Sequence, residues 1–141
     1  MKKSSLLLVG ITLGIVVVTS CAYVRKVTYP PDFVYLEDRQ VISAMADLNV
    51  DMWRIDDIIA NSETILPYQR EEMIQLLAHM EDVADRLGAG TTTTNHLLID
   101  KNIDLFKDDV RNARKYVQGE PPNYYLAGRL SGSCMACHRR R

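Results

Sequence analysis

Apolar residues recur at three- and four-residue steps through most of this chain, and this spacing limits the folds open to it. The clearest example is the run Ile99, Ile103, Phe106, Val110, Ala113 and Val117. These steps place all six side chains on one face of an α-helix, while Lys, Asp, Arg and Asn occupy the other sides. The pattern predicts an amphipathic helix that buries one stripe.

The same spacing occurs in two earlier segments. Residues 37–61 carry the stripe Val41, Met45, Leu48, Met52, Ile55 and Ile59. A second stripe begins after Pro67 and comprises Met73, Leu76, Leu77, Met80, Val83, Ala84 and Leu87. Asn61, Ser62 and Pro67 separate the first two segments, Gly88-Ala89-Gly90 ends the second, and Gly119 with Pro121-Pro122 closes the third. A fourth helix is predicted from about Asn123 to the end. Four such helices with short connections predict an all-α fold, an antiparallel four-helix bundle.

Two cysteines and a histidine lie close together near the end of the chain, as Cys134-Met135-Ala136-Cys137-His138. A structural zinc site needs four ligands, and the other histidines, His79 and His96, are isolated in the sequence. A thiol-redox Cys-x-x-Cys pair lies at a helix N-terminus within a βαβ pattern, and no strand pattern precedes this one. Both interpretations are therefore disfavoured.

Cys-x-x-Cys-His is also the attachment signature of a c-type haem. On a helix, positions i, i+3 and i+4 share one face, so Cys134 and Cys137 can form two thioethers while His138 ligates the iron. The sequence thus predicts one covalently attached haem c on the C-terminal helix. The alternative is a structural or fortuitous cysteine pair in a helical bundle without haem.

The N-terminus has the layout of an export signal. Lys2 and Lys3 precede an uncharged apolar run over residues 6–18, which is shorter than the roughly 20 residues of a membrane-spanning helix. Val18-Thr19-Ser20-Cys21 resembles a bacterial lipobox. We therefore predict a lipoprotein signal peptide over residues 1–20, lipidation of Cys21, a tether over residues 21–36, and the helical domain over residues 37–141. An uncleaved signal anchor is the alternative.

Both interpretations of the N-terminus place the folded part on the periplasmic side of a bacterial membrane and tether it there. Ala22, which follows the predicted lipidated cysteine, favours the outer membrane by analogy with enteric lipoprotein sorting. The formal net charge of the chain is only −1, and no basic stripe is present, so a nucleic-acid partner is not expected.

The run LSGSCMACH at residues 130–138 resembles the haem-binding segment of the cytochrome c′ family, the class II c-type cytochromes. The resemblance covers about residues 37–141. It implies a four-helix bundle with His138 as the fifth iron ligand and a sixth position supplied by the first helix. Matching the apolar spacing of that helix places Met45 at the sixth position, with Met52 as the second candidate.

Family members with Met at the sixth position are six-coordinate electron carriers, and those with Leu or Phe are five-coordinate and bind small gases. The resemblance therefore implies a low-spin, Met/His-ligated electron carrier rather than an enzyme, with redox partners in the periplasm or at the membrane. The alternative is a five-coordinate protein that binds nitric oxide or carbon monoxide. A homodimer stays open, because family members often pair through their first two helices.

Three further conspicuous side chains are predicted to have structural roles. His79 lies beside the stripe of the second helix, and His96 precedes the third helix, so exposure or helix capping is expected rather than iron ligation. Trp53 is expected to pack at the edge of the apolar face of the first helix.

Overall fold

A computed structural model describes residue 30, residues 32–88, residue 90 and residues 93–138. The predicted signal peptide, Cys21 and most of the predicted tether lie outside these ranges. The chain divides into two units, Met1–Phe33 and Val34–Arg141. In the first unit the described residues include one turn, in which the Phe33 amide donates a hydrogen bond to the Pro30 carbonyl.

The second unit is mostly helical, which confirms the prediction of an all-α protein. Its described residues form four α-helices, α1 (Asp38–Asn61), α2 (Pro67–Arg86), α3 (Leu97–Gln118) and α4 (Ser131–His138), and a short 3-10 helix, Ala127–Arg129, precedes α4. Extended structure in the described ranges is limited to a two-stranded sheet of β1 (Phe33–Val34) and β2 (Thr93–Thr94).

The first three helices begin and end close to their predicted limits because local signals fix their ends. The side chain of Gln40 accepts a hydrogen bond from the Glu37 amide at the start of α1, and Gln69 does the same for Leu66 at the start of α2. Pro67 opens α2 at a position where no amide hydrogen is needed. Gly119 directly follows the last residue of α3.

The fourth helix is much shorter than predicted, since α4 begins at Ser131 rather than near Asn123. Pro121 and Pro122 lack amide hydrogens, and the Asn123 side chain accepts a hydrogen bond from the Tyr125 amide at 2.9 Å. This local bond offers the backbone an alternative to a helical start. The predicted start is therefore wrong, and the chain enters α4 through a turn and the 3-10 helix.

Arg70 of α2 fixes the point at which the chain leaves α3. Its guanidinium donates hydrogen bonds to the carbonyls of Val117, Gln118 and Gly119, at 2.9, 2.9 and 3.1 Å, and pairs with Glu120 at 2.9 Å. These carbonyls belong to the end of the helix, where intrahelical donors run out. The clamp ties the end of α3 to α2 and so sets where the segment leading to α4 begins.

The apolar stripes meet in one core. Helix α2 packs against both α1 and α3, while α4 packs against α3. The largest fully buried side chains of this core are Ile55, Ile58, Met73, Leu77, Met80, Val83, Leu87, Val110 and Val117. Most of them belong to the predicted stripes, and each buried large aliphatic side chain stabilises the fold by about 1.5–3 kcal/mol.

A charged side chain also lies in the interface between α1 and α2. Asp51 of α1 is only 6% exposed, and its carboxylate oxygen lies 2.7 Å from Nδ1 of His79 on α2. A buried carboxylate without a hydrogen bond is costly, so this contact selects one register of the two helices. His79 is exposed, as predicted, and its ring contacts Asp51 from the solvent side.

His79→Leu should lower the free energy of unfolding by about 1–3 kcal/mol, because the Asp51 carboxylate then loses its hydrogen-bond partner. Urea denaturation followed by circular dichroism measures the change. Gln75→Leu, one helical turn earlier on the exposed side of α2, is the matched control and should have a smaller effect. Equal stability of the two variants would show that the Asp51 contact does not stabilise the fold.

Candidate functional site

A cavity of about 460 Å³ lies between α1, α3 and α4. Each of the three helices contributes side chains to it, while α2 contributes none of its lining. The lining residues are Met45, Leu48, Asn49, Met52, Trp53 and Asp56 from α1, Ile103 and Phe106 from α3, and Ser131, Ser133, Cys134, Cys137 and His138 from α4. We call this cavity the central pocket.

Cys134, Cys137 and His138 of α4 all line the central pocket. Cys134, Cys137 and His138 occupy positions i, i+3 and i+4 of one helix, so a single face carries both thiols and the imidazole. Both cysteines are half-buried and His138 is exposed. None of the residues of α4 is buried, so this short helix turns its chemical groups toward the pocket instead of into the core.

Two contacts position α4 against the rest of the unit. The hydroxyl of Ser133 donates a 2.6 Å hydrogen bond to the Asp109 carboxylate of α3. Just before the helix, Leu130 and Ala127 of the 3-10 helix are both buried in the core. Packing therefore fixes the residues that lead into α4, and a hydrogen bond fixes one side of its first turn. Together these contacts hold the motif at the pocket.

The two motif thiols are free and lie in partly desolvated surroundings. Burial raises the pKa of Cys134 and also that of Cys137, above a value that already leaves a free cysteine protonated at neutral pH. A disulfide oxidoreductase instead needs a thiolate with a lowered pKa. The thiol-redox interpretation, already disfavoured by the sequence, is thus also opposed by the environment of the thiols.

Both candidate methionines of α1 line the same pocket as His138. Met45 is half-buried, whereas Met52 is 7% exposed and belongs to the buried core. The two lie seven residues apart, which is about 10 Å along a helix axis. Met45 therefore has the freer side chain, while Met52 is already held by packing.

The other residues considered from the sequence fall outside the predicted iron environment or differ from expectation. His79 contacts Asp51, and His96 directly precedes α3, where its buried Nε2 has no hydrogen-bond partner among the described residues. Neither histidine lines the central pocket. Trp53 is 66% exposed rather than packed at the edge of the core, and it borders the pocket at the protein surface.

The sequence interpretation missed two polar residues of the pocket wall on α1. Asn49, Trp53 and Asp56 line the pocket, and they lie four, eight and eleven residues after Met45. These steps place them on the same flank of the helix as Met45. The spacing was therefore a usable signal, but only with knowledge of which flank faces α4.

These residues fit a covalently held haem in three respects. The motif presents two protonated thiols and one imidazole to a shared space, the opposite wall is largely apolar, and the cavity volume lies within the roughly 300–1,000 Å³ usual for cofactor pockets. Within the described ranges no three His, Cys, Asp or Glu side chains gather as a metal site. A haem iron does not need such a cluster, because the porphyrin nitrogens supply four of its ligands.

Comparison of the chain with protein-family models, with curated proteins and with solved structures finds no match. Among the helices of the described ranges, none combines the length and the apolar character needed to cross a membrane.

Proposed function

We propose that this chain is a monohaem c-type cytochrome, similar to the cytochrome c′ family, that transfers single electrons and performs no bond-making chemistry on a substrate. The observation that supports it is the convergence of Cys134, Cys137, His138 and Met45 on one largely apolar pocket. Met45 belongs to the first described helix, and the other three residues belong to the last. We propose further that the helices form the four-helix bundle expected from the resemblance.

The roles of the α4 residues follow from their chemistry. Each thiol of Cys134 and Cys137 would add across one vinyl group of the porphyrin, so that a carbon–sulfur bond forms and the thiol hydrogen passes to the vinyl carbon. His138 would hold the iron from the α4 side. When bound, haem supplies a one-electron couple whose potential depends on axial ligands and burial.

The α1 side of the pocket would supply the sixth ligand and exclude water. Met45 would hold the iron through its thioether, which favours the ferrous state and raises the reduction potential. Leu48, Met52 and Phe106 line the wall around this position, and Met52 is buried in the core. Low polarity there disfavours the additional positive charge of the ferric state, so burial acts in the same direction as the thioether.

The proposed location of the domain is the periplasmic side of a bacterial membrane. Removal of residues 1–20 and lipidation of Cys21 would tether the domain on the periplasmic side, at the outer membrane, where it would exchange electrons with periplasmic or membrane redox partners. The supporting observations are the two N-terminal lysines, the short apolar run and the lipobox-like tetrapeptide. Mass spectrometry of the N-terminal peptide tests this part separately from haem binding.

The optical spectrum of the matured protein, ferric and ferrous, with and without carbon monoxide, tests the function. We expect a low-spin ferrous spectrum with sharp split bands, a weak far-red band in the ferric form, and no response to carbon monoxide. Broad high-spin bands that sharpen with carbon monoxide would replace electron transfer with gas binding. Purification without covalent haem would reject both functions and leave a helical protein with a structural cysteine pair.

A further inference from the structure

Among the described residues that line the central pocket, one carries a carboxylate, Asp56 on α1. Its side chain is half-buried. Within the described part of the chain, no cation or hydrogen-bond donor pairs with this carboxylate. A partly desolvated charge without a partner costs free energy, so its position against the cavity needs an explanation other than stability.

Asp57, the next residue along α1, has the charged partner that Asp56 lacks among the described residues. Asp57 pairs with Arg54 at 2.9 Å, and Arg54 also binds Glu72 of α2 through two of its nitrogens, at 2.6 and 3.1 Å. The hydrogen bond to Arg54 lowers the pKa of Glu72. The guanidinium nearest in sequence therefore binds on the α1–α2 side, and Asp56 lines the pocket without a paired cation among the described residues.

The field of Asp56 reaches the motif on α4. Burial is the main cause that raises the pKa of the Cys134 thiol, and the Asp56 carboxylate raises it further by repelling the thiolate. Both residues line the central pocket. A charge that acts on the sulfur of Cys134 also acts on any group held through that sulfur.

We infer that Asp56 lowers the reduction potential of an iron centre held in the central pocket, because its negative charge stabilises the oxidised state. This inference rests on the proposed function. Oxidation of the iron adds one positive charge, and attraction to a nearby carboxylate favours that state in a medium of low polarity. The charge of Asp56 would then lower the reduction potential, whereas the Met45 thioether and burial raise it. The three contributions together would set the reduction potential of the centre.

Asp56→Asn should raise the reduction potential of the haem-loaded full chain. For charges about 10 Å apart and an effective dielectric constant of about 20, Coulomb's law gives a shift of about tenfold in the ferric–ferrous equilibrium, or about 59 mV for one electron. Asparagine keeps the size of the side chain and removes its charge. Spectroelectrochemical titration measures the potential, and the optical spectrum should stay low-spin.

The matched control is Asp82→Asn, which makes the same change of charge at an exposed position of α2, away from the pocket lining. Its potential should stay close to that of the unmodified protein. Equal shifts in the two variants, with intact haem spectra, would overturn the role of Asp56 and leave the proposed function standing. Absence of covalent haem from the unmodified protein would overturn both.

A second measurement does not need haem. In the full chain produced without haem and carrying Cys137→Ala, Asp56→Asn should increase the alkylation rate of Cys134 at neutral pH, because a larger fraction of the thiol ionises. Mass spectrometry of the peptide containing Cys134 gives the rate, and Asp82→Asn again serves as control. An unchanged rate would show that the Asp56 charge does not reach the attachment point, which contradicts the inference.

Discussion

Replacing both Cys134 and Cys137 by alanine should abolish covalent haem attachment completely. These are the only cysteines in the described ranges, and both face the central pocket beside His138. Without their sulfur atoms no thioether can form, so any haem retained would be held through iron ligands and apolar contacts alone. Haem staining after denaturing electrophoresis measures the loss, and each single replacement should retain haem through its remaining cysteine.

The same double replacement should also weaken α4. The helix has eight residues, none of them buried, and isolated helices of this length are marginal in water. Contact with a bound haem would stabilise the face of α4 that lines the pocket. Hydrogen exchange in α4 should therefore be faster in the variant than in the matured protein. Met135→Ala, an exposed change in the same helix outside the pocket lining, is the control and should keep its haem. Denaturation-resistant haem in the double variant would refute attachment through these cysteines.

The first three helices were predictable because their limits depend on nearby residues. The side chains of Gln40 and Gln69 accept hydrogen bonds from the amides of Glu37 and Leu66 at the starts of α1 and α2. Pro67 is the first residue of α2, and Gly119 directly follows α3. Such signals act within one or two turns, so they can be recognised without knowledge of tertiary contacts. The stripes likewise identified most of the large side chains that fill the core.

The start of α4 was not predictable from the same rules. Residues 123–130 contain enough apolar positions to resemble a helical stripe, but the Asn123 side chain bonds the Tyr125 amide and Arg70 holds the preceding carbonyls. The second of these contacts joins residues almost 50 positions apart. The spacing of apolar residues cannot reveal this contact, because it contains no information about which distant side chain will bind these carbonyls.

Part of the candidate site was likewise predictable from the sequence, and part of it was not. The spacing of Cys134, Cys137 and His138 identified one side of the pocket, because it is a property of one helical segment. The contributions of Trp53 and Asp56 depend on how α1 is rotated about its axis against α3 and α4. Both lie at the margin of the α1 stripe, where packing alone decides between the core, the pocket and the solvent.

Replacing Met45 by leucine should convert a six-coordinate, low-spin haem into a five-coordinate, high-spin one. Leucine has a similar volume and packs well in place of methionine, so the fold should be retained while the thioether is lost. Met45 is half-buried, which limits the packing change further. We expect the far-red ferric band to disappear, carbon monoxide to bind the ferrous form, and the reduction potential to fall because the ligand that favours ferrous iron is gone.

Met52→Leu is the matched control for this prediction. Met52 lines the same pocket on the same helix but is buried in the core, so its replacement should leave the low-spin spectrum unchanged. Conversion by Met52→Leu instead would move the sixth ligand two turns along α1 and refute the alignment that selects Met45. No conversion in either variant would exclude both thioethers. The distinction matters because one side chain at this position separates an electron carrier from a gas-binding protein while the attachment on α4 stays the same.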